Sequence, residues 1–133
     1  MPKKHCHIRL APDFANLNVL EDFIISCPFL AGEERNRAML LATEFFDNIV
    51  AYSKSPFPGM VDISLDRDVR TRVFLKYRTR NFAEMVRASE TTKPYFDGAT
   101  RRYRGLGLLM CRNLSSSIQY KKGLFKSSVI IIL

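Results

Sequence analysis

The stretch from Gly32 to Ser53 constrains the fold more than any other part of the chain. Advancing about 100° per residue, Ala38, Leu41, Ala42, Phe45, Ile49 and Tyr52 fall in one arc, flanked by Met39, Phe46 and Val50. The apolar arc takes up roughly half of the circumference, which suits a helix packed against both a sheet and a neighbouring helix. Asn36, Arg37, Glu44 and Asp47 fill the remaining arc, and Asn48 lies at its margin with the core. Ser55-Pro56-Phe57-Pro58-Gly59 ends the element, since prolines and glycine do not continue a helix.

Around this helix the pattern switches to strands. Cys6, Ile8 and Leu10 alternate with His5, His7 and Arg9, which predicts a first strand. Pro12-Asp13 starts a helix through Phe14, Leu17, Val19 and Leu20, and Pro28 breaks it near Ser26-Cys27. Met60–Leu65 and Val69–Arg78 read as an antiparallel pair around a turn at Asp66-Arg67-Asp68. In the second strand Val69, Thr71, Val73, Leu75 and Tyr77 face one way; Arg70, Arg72, Lys76 and Arg78 face the other, with Phe74 as the exception. One sheet face is then covered, the other wet and basic. Asn81–Ser89 is a short helix, Glu90–Arg102 a polar loop, and Gly105–Ser115 a further helix. Ile118–Lys121 and Leu124–Leu133 are the last two strands, joined at Lys122-Gly123, with Val129–Leu133 as a buried central strand. This order gives one domain over residues 1–133, a two-layer α/β (α+β) sandwich of a mainly antiparallel sheet with helices on one face.

The 133 residues suffice for a core without staples. No apolar run is long enough to span a bilayer, and Met1-Pro2-Lys3-Lys4 lacks the apolar segment of a secretory signal. Cys6, Cys27 and Cys111 are odd in number and widely spaced, and read as reduced buried thiols of a cytoplasmic protein. The net charge of +8, with arginines concentrated in 67–80 and 101–112, permits nucleic acid, acidic lipid or an acidic protein as partner. His5-x-His7 offers only two ligands where a structural zinc wants four, and Asp66-x-Asp68 lacks the spacing of a calcium loop. Ser115-Ser116-Ser117 has no paired histidine and reads as a helix end.

Two elements carry chemistry. Glu44 and Asn48, within Glu44-Phe45-Phe46-Asp47-Asn48, stand four residues apart and project from one helix face. Tyr103-Arg104-Gly105-Leu106-Gly107-Leu108-Leu109 opens a helix with glycines, where bare backbone and N-terminal amides favour an anion, and Arg101, Arg102 and Arg104 stand beside it. Together with the element order, these resemble two of the three nucleotide-contacting boxes of the GHKL ATPase/kinase fold, and most nearly those of the small bacterial anti-sigma factor serine kinases. The resemblance runs over nearly the whole chain, most firmly at 32–53 and 103–133. It implies ATP or ADP with Mg²⁺ as cofactor and Glu44 as general base. It further implies that Asn48 holds the Mg²⁺, with Asp47 beside it, and that Arg104, Gly105, Leu106 and Gly107 cradle phosphate.

The third box is absent. After the strand ending near Lys76 the family places an aspartate that accepts a hydrogen bond from the adenine amino group, then glycines that turn beneath the base. Here the chain reads Tyr77-Arg78-Thr79-Arg80-Asn81-Phe82, without carboxylate or glycine. Losing that acceptor removes much of the pocket's discrimination, and the hydroxyls of Tyr77 and Thr79 are the candidate substitutes. Asn81 is the residue there most tolerant of positive φ. The expectation is therefore a signalling regulator with a degenerate ATP site that binds a regulatory protein such as a sigma factor or an anti-sigma antagonist. Relatives often form homodimers through the sheet, so the face with Arg70, Arg72 and Lys76 is a candidate partner surface. The first alternative is an active ATP-dependent protein serine/threonine kinase, with 83–104 as a lid. The second is a basic nucleic-acid-binding module, for which Tyr77 and Phe74 are thin aromatic support.

Overall fold

The computed structural model describes residues 4–55, 59–91, 95–99, 102–104 and 113–133. In chain order it contains β1 (Lys4–Leu10), a 3₁₀ turn (Phe14–Asn16), α1 (Leu17–Ile25), α2 (Gly32–Tyr52), β2 (Val61–Arg67) and β3 (Thr71–Tyr77). It continues with α3 (Phe82–Thr91), β4 (Tyr95–Asp97), β5 (Arg102–Arg104), β6 (Ser117–Lys121) and β7 (Ser127–Ile132). Five strands form one sheet in the order β1-β2-β3-β7-β6, every neighbouring pair antiparallel, while β4 and β5 make a separate two-stranded ribbon. The architecture is α+β, with three helices among the described residues.

The strand alternation read from sequence is the alternation seen. Cys6, Ile8 and Leu10 pair with Leu65, Ile63 and Val61, and this register continues through Val73, Leu75, Val129 and Ile131 to make one mainly apolar sheet face, with Thr71 and Ser127 buried at its margins. Leu20 and Ile24 of α1 and Leu41, Phe45, Phe46 and Ile49 of α2 are buried in the same core. The start of α3 joins it through Phe82, whose ring meets those of Tyr77 and Tyr120 edge-on.

Local chemistry sets the helix ends. The Asp13 carboxylate accepts from the Ala15 amide at 2.9 Å, so a capped 3₁₀ turn leads into α1. Gly32 opens α2 at φ 58°, a left-handed conformation that a side chain would strain, and Glu33 and Glu34 then complement the positive end of the helix dipole.

Several boundaries differ from expectation. The last strand starts at Ser127 rather than Leu124, so Leu124, Phe125 and Lys126 belong to the connection after Lys121, and Val69, expected to face inward at the start of the second strand, is 91% exposed ahead of β3. The β2–β3 turn lies at Asp68-Val69-Arg70, not Asp66-Arg67-Asp68. Asp66 stays inside β2, where the Arg72 guanidinium opposite donates to both carboxylate oxygens at 2.8 and 3.2 Å. That cross-strand ion pair holds two more residues in the ladder than turn propensity alone suggests. Within 90–102, read as loop, the chain forms the first strand of the β4–β5 ribbon. Of the helix expected at 105–115, residues 105–112 lie outside the described residues, and Asn113 and Leu114 are helical. No helix among the described residues is long and apolar enough to cross a membrane.

Candidate functional site

α2 positions the residues singled out on it. Its sheet-facing arc is anchored by Ala38, Leu41, Ala42, Phe45 and Ile49, so the neighbouring arc carries Arg37, Glu44, Asp47 and Asn48. These polar groups are not washed by solvent. Asp47 is 3% exposed, and Glu44 and Asn48 are half-buried. Arg37 reaches the Leu114 carbonyl with Nη1 at 3.5 Å, which brings the segment ahead of β6 against this arc.

Glu44 and Asp47 are engaged with neighbouring groups, but the Nδ2 of Asn48 is buried with no hydrogen-bond partner among the described residues, as is the Nε of Arg37. A buried amide with an unmet donor is costly, by about 1–3 kcal/mol. Because a carboxamide can rotate by half a turn, the unmet position can present oxygen instead of nitrogen. An oxygen there suits a hard cation, so Asn48 fits the metal-holding role that the resemblance implies.

The adenine end does not fit. Tyr77 is 3% exposed, and its hydroxyl sits 3.9 Å from the Met85 sulfur, inside the core. Burial pushes its phenol well above the ordinary value, with Tyr120 adding to the effect. The residues after it close onto the end of α2. The Lys54 amide donates to the Thr79 hydroxyl at 3.1 Å and to Asn81 Oδ1 at 3.0 Å; Asn81 Nδ2 donates to the Tyr52 carbonyl at 2.8 Å. The Arg80 amide adds a bond to the Lys54 carbonyl at 2.6 Å, and the Asn81 carbonyl accepts from Met85 in the first turn of α3. Thr79 and Asn81 thus satisfy orphan groups at the C-terminus of α2, and Asn81 also starts α3. Thr79 and Asn81, which stand where the adenine box would, are engaged in holding the fold.

Of the phosphate cradle, Gly105, Leu106 and Gly107 lie outside the described residues, and Arg104 closes β5. A hollow of about 130 Å³ between Ile49, Val50, Ser53, Val61, Tyr77 and Arg78 is too small for a nucleotide, and neither Glu44 nor Asn48 lines it.

The opposite, open sheet face holds groups that sequence reading passed over. Register lines up Arg9, Asp62, Lys76, Ser128 and Lys121 in one row across all five strands. Asp62 accepts from Arg9 Nε at 2.7 Å and Lys126 Nζ at 2.9 Å, with His7 Nε2 at 3.3 Å. Burial pushes its carboxyl up, but the bonds from Lys126 and Arg9 outweigh this and hold it down to about 2. Alternation alone puts Asp62 on this face; its partners follow only from the register. Around it lies a shallow dish of about 580 Å³ lined by His7, Arg9, Asp62, Phe74, Lys76 and Lys121. Of the expected basic trio, Arg72 and Arg70 are committed among the described residues. Arg72 is paired with Asp66 and lies over the Phe74 ring, and Arg70 donates to the Leu133 carbonyl at 3.1 Å and to the Ser116 hydroxyl.

Cys6 and Cys27, read as separate thiols, come together with their sulfurs 3.6 Å apart. The signal for this was the inward phase of Cys6 in β1 and the return of α1 over that strand.

Comparison with known proteins returned neither a matching family model nor a matching curated protein.

Proposed function

We propose that this chain is a bacterial signalling regulator resembling the anti-sigma factor serine kinases, acting by binding a regulatory protein through a domain whose ATP site is degenerate. The observation that carries this is the engagement of Thr79 and Asn81 with the end of α2, in the segment where the resemblance calls for adenine recognition. A base-reading pocket needs an acceptor free to face the ligand, and the Thr79 hydroxyl and the Asn81 oxygen are already bonded within the fold. The antiparallel sheet with helices packed on it agrees with the proposed ancestry.

A regulatory protein such as a sigma factor or an anti-sigma antagonist is the proposed partner. The open face offers cations at Lys76 and Lys121, and the β6–β7 connection adds Leu124 and Phe125, 91% and 74% exposed. An apolar anchor beside a basic rim is a composition suited to a protein contact. A homodimer through the same face is the simplest competitor for that surface. The nucleic-acid reading is weaker, because Arg70 and Arg72 are committed internally and Arg72 already covers one side of Phe74.

One observation favours the active-kinase reading: the unmet amide of Asn48. There, ATP with Mg²⁺ would supply the phosphoryl group, Asn48 would help hold the metal, and Glu44 would accept the proton of the attacking hydroxyl. Calorimetric titration of the protein with ATP and ADP in the presence of Mg²⁺ separates the two. The expected outcome is no binding tighter than about millimolar, unchanged in Asn48→Ala; micromolar affinity that disappears in Asn48→Ala overturns the proposal in favour of the kinase.

A further inference from the structure

Cys6 sits in the edge strand β1, half-buried, with its side chain on the core face opposite Leu65. Cys27 follows α1, is buried, and lies in the connection that leads into α2. Their sulfurs are 3.6 Å apart although 21 positions separate them in sequence. A disulfide needs about 2.05 Å, so modest side-chain rotation and a small approach of the two elements close the gap.

We propose that Cys6 and Cys27 are a redox modification site, a dithiol that a hydroperoxide converts to an intramolecular disulfide and a thiol reductant restores. The chemistry divides between them by access. Cys6, the more exposed, attacks a peroxide oxygen as its thiolate; the O–O bond breaks, water leaves after protonation, and Cys6 becomes a sulfenic acid. Cys27 then attacks the Cys6 sulfur; the S–O bond breaks, and the departing hydroxide takes the Cys27 proton to leave as a second water. Two thiols and one hydrogen peroxide give one disulfide and two waters. Burial, with the Cys6 thiol adding to it, pushes the Cys27 thiol up to about 11, so it stays protonated at neutral pH and Cys6 is the first to meet the oxidant. The bridge would tether the edge strand to the segment from which α2 departs. This inference stands whether or not the chain binds nucleotide.

The test treats the full chain with hydrogen peroxide, alkylates remaining thiols and reads the intact mass. Without oxidant all three cysteines take up alkyl groups under denaturing conditions. After oxidation the expected product is a monomer two hydrogens lighter with one alkyl group, at Cys111, and a joined peptide containing Cys6 and Cys27. Dithiothreitol returns the three-fold uptake. In Cys6→Ser and Cys27→Ser no such monomer forms. A bridge involving Cys111, a disulfide-linked dimer, a sulfinic acid on Cys6 without a bridge, or three alkyl groups after exposures that oxidise glutathione completely would each overturn the proposal. The wild-type arm needs no variant to fold. Its melting temperature, read with and without reductant, should rise by roughly 5–10 °C on bridging.

Discussion

The two ends of α2 are fastened to the rest of the molecule by different physics. At the N-terminal end the fastening is charged. The Arg67 guanidinium donates to Glu34, the Thr71 hydroxyl donates to the same carboxylate at 2.6 Å, and Arg67 lies over the Phe29 ring at 5.9 Å. At the C-terminal end it is neutral, made of the Asn81 amide, the Thr79 hydroxyl and the backbone of residues 52–54. A charged fastening depends on protonation and on screening by salt, whereas a network of amides and hydroxyls feels neither. Glu44 and Asn48 lie between the two, so their placement rests on one conditional end and one unconditional end.

The largest effect should come from the neutral end. Asn81→Ala removes the Asn81 amide from the Tyr52 carbonyl and one of the two side-chain acceptors of the Lys54 amide, and is expected to cost about 2 kcal/mol in denaturant unfolding, equally at low and high salt. A strong salt dependence would break the contrast.

Glu34→Gln comes next, at about 1 kcal/mol at neutral pH and low salt, because its side chain is 29% exposed and solvent screens part of the pairing. Burial pushes the Glu34 carboxyl up, but bonds from Thr71 and Arg67 prevail and leave it below the ordinary carboxylate value. A carboxyl depressed in the folded state stabilises above its unfolded value, and that contribution disappears as pH falls through the folded one. The gap between wild type and Glu34→Gln should therefore close on acidification, while the Asn81→Ala gap stays level over the same range. Parallel curves for the two variants would erase the distinction.

Tyr77→Phe should be smallest, within about 0.5 kcal/mol of wild type, since among the described residues its hydroxyl meets a thioether and no stronger partner. A larger loss would mean the phenol has a structural partner stronger than the Met85 sulfur.

Much of this was legible in the chain. The arc of Ala38, Leu41, Phe45 and Ile49 predicts α2, and the alternations of Cys6-Ile8-Leu10 and Thr71-Val73-Leu75-Tyr77 predict strands with the correct faces. Periodicity reports which way a residue points, so it works wherever burial decides. It cannot report what a polar group meets across the sheet. Asp66 looks like a turn residue until Arg72 is known to stand opposite, and Asp62 looks ordinary until register brings Arg9 and Lys126 to it. The candidate site was legible in the same uneven way. The common face of Glu44 and Asn48 follows from spacing, but the closure of Thr79 and Asn81 on the end of α2 depends on two segments some 25 positions apart in sequence.

The position of β3 also governs how the molecule is made. Its neighbours are β2, joined to it by a tight turn, and β7, which pairs Val129 with Leu75 across most of the remaining sequence. During synthesis the ribosome releases β1, β2 and β3 well before the strand that completes the middle of the sheet. Until residues 127–132 emerge, one flank of β3 shows unpaired amides and carbonyls beside exposed valine and leucine, a surface prone to pairing with other nascent chains. Expression should therefore be more sensitive to lesions in β7 than to equally severe ones in β1, whose loss uncovers only an edge.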